Sequence, residues 1–247
     1  MITKVVFWSS LIFIFYAYFG YPLLLALVGI FRRDEIFKGN ITPMVSFIIT
    51  AYNENKRIKD KIENTLKLNY PKKKLEIIVA SDCSTDGTDE IVNSYNFCGV
   101  RLVRAEERRG KENAQKCAVN AASGEILVFS DVATILRSDA VSNIVKNFND
   151  RTVGCVSSLD KFIDNDGNVS GEGAYVRYEM FLRSLETKVN TLVGLSGSFF
   201  AARREVCRNW ATDLQSDFNT LLNSVKLGLR GVSDPESIGY YKNMPCL

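Results

Sequence analysis

The sequence predicts an α/β protein: a mixed, mostly parallel sheet flanked by helices, preceded by one N-terminal transmembrane helix. Three observations carry that expectation. A long uncharged apolar stretch opens the chain, short apolar runs alternate with amphipathic segments from Pro43 onward, and polar clusters follow several of those runs directly.

Val5 to Phe31, "VVFWSSLIFIFYAYFGYPLLLALVGIF", carries no charge over 27 residues. About 20 apolar residues span the hydrocarbon as a helix, so this stretch is long enough to cross with some tilt. It is about twice the length of a signal-peptide core, which favours an uncleaved anchor. Pro22 is a candidate kink, and Trp8, Tyr16, Tyr18 and Tyr21 are aromatics of the interfacial kind. Arg32, Arg33 and Lys38 follow the span, against Lys4 and the amino terminus before it, so the charge bias points the remainder into the cytoplasm. The expected division is residues 1–38 as anchor and basic juxtamembrane segment, and 39–247 as one α/β domain.

Met44–Thr50, "MVSFIIT", reads as the first strand. "AYNENKRIKDKIENTLKLNY" is then a turn entering an amphipathic helix with Ile58, Ile62, Leu66 and Leu68 on its apolar face. Leu75–Ser81 is the second strand, and "DCSTDGTDEIVNSY" a polar loop entering a helix, with Ser84, Thr85 or Asp86 as candidate N-cap and Asp82 left free. "GVRLVRA", "GKENAQKCAVNAA" and "EILVFS" continue as strand, helix, strand. Gly171–Asn190 reads as a helix with Tyr175, Tyr178, Leu182 and Leu185 facing the sheet and a Glu179–Arg183 pair at i,i+4. Asp217 starts a last helix whose expected inner face is Phe218, Leu221, Leu222 and Val225.

Ligands of open, mostly parallel sheets bind beyond the carboxyl ends of the strands. Tyr52, Asn53 and Glu54, then Asp82, then Asp131 all fall there. The chain has no histidine, which removes Ser-His-Asp and Cys-His catalysis and HExxH metal sites, so a general base must be a carboxylate, Lys, Tyr or Cys. The six cysteines lack CxxC spacing and fit a reducing compartment. A net charge of +3 with scattered basic pairs makes no case for nucleic acid, and no GxxxxGK[ST] loop is present.

"VSFIITAYNE", "YPKKKLEIIVASDCSTDGT" and "RRGKENAQKCAVNAASGEILVFSDVAT", followed by "GEGAYVRYEMFLRSLETK", "GLSGSFFAARRE" and "LQSDFNTLLNSVKLGLRGV", resemble the family 2 glycosyltransferases with the Rossmann-like GT-A fold, in their membrane-anchored polysaccharide-synthase-like branch. The resemblance covers roughly residues 43–232. It implies inverting transfer of a sugar from a nucleotide-sugar, usually a UDP-sugar, to an acceptor hydroxyl of a glycan or lipid-linked glycan. By motif position, Ala51, Tyr52 and Glu54 would line the nucleotide site, Asp82 would contact the uracil, and Lys111 would lie near the diphosphate. Asp131 fills the first position of the DxD metal motif, for Mg²⁺ or Mn²⁺. Asp217 matches the catalytic base, with Asp213 in reserve. Gly194 and Gly197, around Ser196, would let the backbone approach an acceptor sugar closely, although a tight turn before a strand explains the glycines nearly as well.

Two departures stand out: Ala133 replaces the second DxD carboxylate, and Ser216 stands where an acid often precedes the base. Divalent ions bound with a diphosphate need only one or two protein carboxylates, so one Asp is compatible with a site completed by substrate. The downstream QxxRW motif is not found up to Leu247. That stands against processive polymer synthesis by these residues, and a longer parent chain would give the same picture. The departures also motivate an alternative, a non-catalytic membrane-anchored nucleotide-sugar-binding subunit working with synthase partner proteins. A nucleotidyltransferase is disfavoured by the missing Gly-rich phosphate loop.

Overall fold

The computed structural model describes residues 1–32, 35–163 and 174–242. Arg33, the expected helical start at Gly171, Cys246 and the side chain of Tyr175 lie outside what is described.

The opening apolar stretch is helical from Ile2 to Phe31, as α1 (Ile2–Phe15), one π-turn (Tyr16–Gly20) and α2 (Tyr21–Phe31). It is long and apolar enough to cross a membrane and almost entirely uncovered by the rest of the chain. Pro22 has no N–H to give the carbonyl of Tyr18 and its ring crowds that turn; the π-turn just before it widens the helix there without breaking it.

The remainder builds an eight-stranded sheet in the order β3-β2-β1-β4-β7-β6-β8-β5. The strands are β1 (Val45–Ala51), β2 (Leu75–Ser81), β3 (Val100–Arg104), β4 (Ile126–Asp131), β5 (Thr134–Leu136), β6 (Val153–Ile163), β7 (Phe199–Arg203) and β8 (Arg230–Lys242). The first four in the spatial order are mutually parallel. β7 is antiparallel to both β4 and β6, and β8 runs parallel to β6. Helices α3 (Ile58–Leu66), α4 (Thr88–Asn93), α5 (Lys111–Ala121), α6 (Ala140–Lys146), α7 (Ala174–Val189) and α8 (Ser216–Lys226) complete the described elements.

Central strands read as unbroken apolar runs because both faces are covered. On β1, Phe47 and Ile49 pack with Ile58 and Ile62 of α3, while Ile48 faces the layer of Ala114, Ala118, Leu127 and Phe129. Each fully buried side chain of this size stabilises the fold by about 1.5–3 kcal/mol.

Three local expectations need correction. Gly87, left-handed at φ 93°, occupies the N-cap of α4, and Asp86 just before it accepts the Thr88 N–H at 3.1 Å; Ser84 instead accepts from the Asn53 N–H. α8 turns small polar residues inward: Ser216, Asn219, Thr220, Asn223 and Ser224 are buried beside Leu221, whereas Phe218 and Val225 are 44% and 50% exposed. The close approach explains it, since a Cβ on Gly154 would collide with Ser224 Oγ, leaving no room for a larger side chain. Finally, α7 lies against α2 as well as the sheet. Its Tyr178 hydroxyl donates to the Tyr18 carbonyl at 2.7 Å and lies 3.4 Å from that of Ala17, and Val189 packs on Gly29.

Candidate active site

The loops after β1 and β2 are stitched together. Asn53, left-handed at φ 52°, donates its N–H to Ser84 Oγ at 3.1 Å and accepts from the Thr85 N–H at 2.9 Å; the Glu54 N–H donates to Thr88 Oγ1 at 2.8 Å. A shared loop edge results, over a recess of about 410 Å³ at the carboxyl ends of the parallel strands. Ala51, Tyr52, Glu54, Asp82, Lys111 and Asp131, the six residues expected to hold a nucleotide-sugar, all line it.

Asp82 is not free. It is buried, and its two oxygens accept the N–H groups of Arg109 and Gly110 at 3.1 and 3.0 Å. The carboxylate therefore organises the loop leading into α5, where Gly110 takes φ 97°, a conformation that a side chain resists. Lone pairs remain on Asp82 for a ligand N–H. Glu54 is committed to Arg57 through two contacts of 2.7 and 2.6 Å.

At the centre, Lys111 Nζ lies 2.7 Å from Asp131 Oδ1 and donates to the Gly197 carbonyl at 3.1 Å. The Asp131 N–H donates to the Ser198 carbonyl at 2.9 Å. The Gly194–Ser198 turn is thereby joined to the floor of the recess without itself lining it. Behind it stands Asp217: a Cβ added to Gly197 would sit 3.3 Å from Asp217 Oδ2. A side chain at Gly197 would crowd Asp217, whereas Gly194 faces open space and owes nothing to crowding. Ser196 is buried and donates to Asp160 Oδ2 at 2.6 Å, so it supports the turn from behind. Asp213 is exposed.

Among the described residues no group of three or more His, Cys, Asp and Glu is poised for a metal. Asp131 is the carboxylate available, with the Thr50 hydroxyl, buried and unpaired, on the neighbouring strand in register with it. One carboxylate with an open side fits Mg²⁺ or Mn²⁺ arriving with a diphosphate, which brings the remaining oxygens.

Two residues of the site escaped the reading of the sequence. Arg108 stacks over the Tyr52 ring, Cζ 4.1 Å from its centroid, and closes one side of the recess. Lys61 is buried beneath Asp131; its ammonium donates to Ser130 Oγ at 2.7 Å and to the Thr134 carbonyl at 2.6 Å, clamping the turn after β4. Burial pushes its pKa down to about 7, partly opposed by the charge of Asp131. Its place on the inner side of α3, between Ile58 and Ile62, was the available signal.

A family model described as "Glycosyl transferase family 2" matches residues 46–210, spanning the loops, the recess and the 194–198 turn. The chain belongs to glycosyl transferase family 2. A poly-β-1,6-N-acetyl-D-glucosamine synthase of Staphylococcus aureus is 30% identical over 198 residues, covering 76% of this chain but 46% of the relative. This glycosyltransferase chain therefore spans less than half the length of that relative. A mannosyltransferase from Pyrobaculum calidifontis, solved in complex with GDP-Man and Mn²⁺, superposes with a TM-score of 0.77 at 28% identity, over 93% of this chain and 66% of that one. S. aureus TarS in complex with UDP-GlcNAc shares the fold at 18% identity and a TM-score of 0.60, over 82% of this chain and 59% of the other. The enzyme class, the GT-A-type fold and the glycosyltransferase identity expected from the motifs are thus established.

Proposed function

We propose that this family 2 glycosyltransferase is an inverting enzyme, anchored in the membrane by Ile2–Phe31 with its catalytic domain in the cytoplasm. It transfers a sugar from a UDP-sugar to a hydroxyl of a glycan or lipid-linked glycan during cell-surface polysaccharide synthesis. The observation that carries this reading is the bridge formed by Lys111, which touches Asp131 on one side and the Gly197 carbonyl on the other, with Asp217 directly behind Gly197.

In this reading the nucleotide lies along Tyr52, Asp82 and Arg108, and Lys111 stabilises the charge that develops on the leaving diphosphate. Asp131 would hold Mg²⁺ or Mn²⁺, which supplies Lewis-acid neutralisation of that diphosphate when bound. Asp217 takes the proton of the attacking hydroxyl, on the far side of the 194–198 turn from the leaving group, as a single displacement with inversion demands. The polysaccharide-synthase relative and the neighbours solved with nucleotide-sugars and Mn²⁺ support the donor class and the metal.

The test uses the full chain in detergent with a panel of UDP-sugars, GDP-Man and Mn²⁺, reading nucleoside diphosphate release. Asp217→Asn should lower turnover by about 10²–10⁴-fold, the usual contribution of a general base, with UDP affinity within twofold of wild type. Full activity in that variant would refute the base assignment. The absence of a second carboxylate at Ala133 favours one competing reading, the non-catalytic donor-binding subunit. It predicts UDP binding without turnover even when synthase partners are added.

A further inference from the structure

A second recess, about 270 Å³, opens beyond the Gly194–Ser198 turn. Ser198 separates it from the donor recess: its carbonyl accepts from the Asp131 N–H, while its hydroxyl donates to Asp160 Oδ1 at 2.8 Å. Asp160, Phe162, Glu179, Arg183 and Tyr241 line this second space. No step proposed above uses any of them.

The donor and acceptor inventory of the recess is specific. A carboxylate offers about four acceptor positions. Asp160 Oδ1 is filled by Ser198 and Ser158 at 2.8 and 3.3 Å, while Oδ2 takes only Ser196 at 2.6 Å and keeps a position open. Glu179 Oε1 accepts from Arg183 Nη2 at 2.8 Å, and Oε2 has no partner among the described residues. Arg183 is held in turn by Ser157 Oγ at 2.9 Å. Phe162 and Tyr241 sit side by side across the β6–β8 pairing, ring centroids 6.0 Å apart.

Two carboxylates against one guanidinium leave the recess net negative, which disfavours a phosphate or a second nucleotide. Open carboxylate oxygens, a fixed guanidinium and apolar ring faces together match a ligand rich in hydroxyl donors with apolar C–H faces. The space is smaller than the donor recess and suits one ring at a time. We propose that this recess seats a hexosyl ring of the acceptor saccharide, uncharged or bearing an ammonium group, with Asp160 Oδ2 and Glu179 Oε2 accepting from its hydroxyls. This rests on the glycosyltransferase reading above and adds where the acceptor is held. Ser198, bonded to Asp160 on this side and to the Asp131 N–H on the other, places such a ring next to the donor recess.

The experiment titrates full-length protein in detergent with three kinds of probe: UDP, UDP-N-acetylglucosamine, and short oligosaccharides of N-acetylglucosamine, glucose and mannose. Wild type is compared with Glu179→Gln and Tyr241→Phe, both close in shape to the native residues, and with Asp160→Asn. The expected result is oligosaccharide binding weakened about 10- to 150-fold in Glu179→Gln and Asp160→Asn, the size of one charge-assisted hydrogen bond, with UDP binding within twofold. Retained UDP binding also reports that each variant is folded. Loss confined to UDP-N-acetylglucosamine relative to UDP would mean that the donor's own sugar occupies the recess, which overturns the acceptor assignment. Unchanged oligosaccharide binding, or none in the wild type, overturns it as well. The oligosaccharide arm needs no nucleotide, so a failure to bind UDP would defeat the donor reading alone.

Discussion

Replacing Lys111 by methionine separates two effects that its position combines. Lys111 and Asp131 are 2.7 Å apart with side chains 35% and 36% exposed, so the pair is of the half-solvated kind, worth about 0.2–1 kcal/mol. A divalent ion must compete with that ammonium for Asp131. Once a diphosphate is present, Lys111 can turn to its oxygens, where a charge-assisted hydrogen bond contributes about 1.5–3 kcal/mol. Lys111→Met therefore loses about 1.5–3 kcal/mol of diphosphate contact and recovers at most about 1 kcal/mol by freeing Asp131. UDP affinity in Mn²⁺ should fall roughly 2- to 150-fold, while Mn²⁺ alone should bind up to about fivefold better. Calorimetry of UDP and electron paramagnetic resonance of free Mn²⁺ read the two separately. A variant that binds UDP in Mn²⁺ as tightly as wild type would refute the claim that Lys111 faces the diphosphate. One that binds Mn²⁺ no better would refute the competition.

Other perturbations follow from single contacts. Gly197→Ala puts a methyl 3.3 Å from Asp217 Oδ2, so turnover should drop about tenfold with UDP affinity unchanged in calorimetry, because the base is displaced and the donor floor is not. Lys61 has a folded pKa of about 7 against 10.5 unfolded, so the unfolded chain holds the extra proton between those values and stability rises with pH across that window. Unfolding free energies from denaturant titrations at pH 7 and 9 should differ by an amount on the order of a few kcal/mol, and Lys61→Met should flatten the difference. Tyr178→Phe removes the hydroxyl that donates to the Tyr18 carbonyl, a hydrogen bond worth about 0.5–1.5 kcal/mol, and should lower the thermal midpoint in detergent by a few degrees.

The parallel half of the sheet was legible because its strands are short, apolar and buried on both sides: Leu75–Ser81 was placed to the residue, and β1 and β4 to within one. The polar strand ends were legible for the same reason, since carboxylates that close apolar runs have few other places to go. The antiparallel half was not. β6 carries Asp160 and Lys161 in its second part, where one face is a recess and the other is partly wet, so its alternation reads as noise. α8 defeated hydrophobic periodicity because close backbone approach selects Ser and Thr over Phe and Val. Lys61 and Arg108 were hidden for a further reason: a lysine on a helix and an arginine in a basic loop look solvated until the fold puts a carboxylate above one and an aromatic ring beside the other.

The same contacts tie the N-terminal helix to the proposed site. Pro22 has no N–H to offer the Tyr18 carbonyl one turn back, and the Tyr178 hydroxyl donates to that carbonyl at 2.7 Å instead. That contact holds one end of α7 on the N-terminal helix. Further along α7, Arg183 donates to Ser157 Oγ, and Ser157 Oγ also accepts the Ser196 N–H at 2.7 Å. The Ser196–Ser198 segment then meets Asp131 and Lys111 through two backbone carbonyls. A path of packed, hydrogen-bonded groups thus runs from the N-terminal apolar helix to Asp131. The N-terminal helix is therefore one support of the Ser196–Ser198 segment, and Tyr178→Phe, which removes the contact at Tyr18 and leaves Arg183 and Ser157 in place, tests that support.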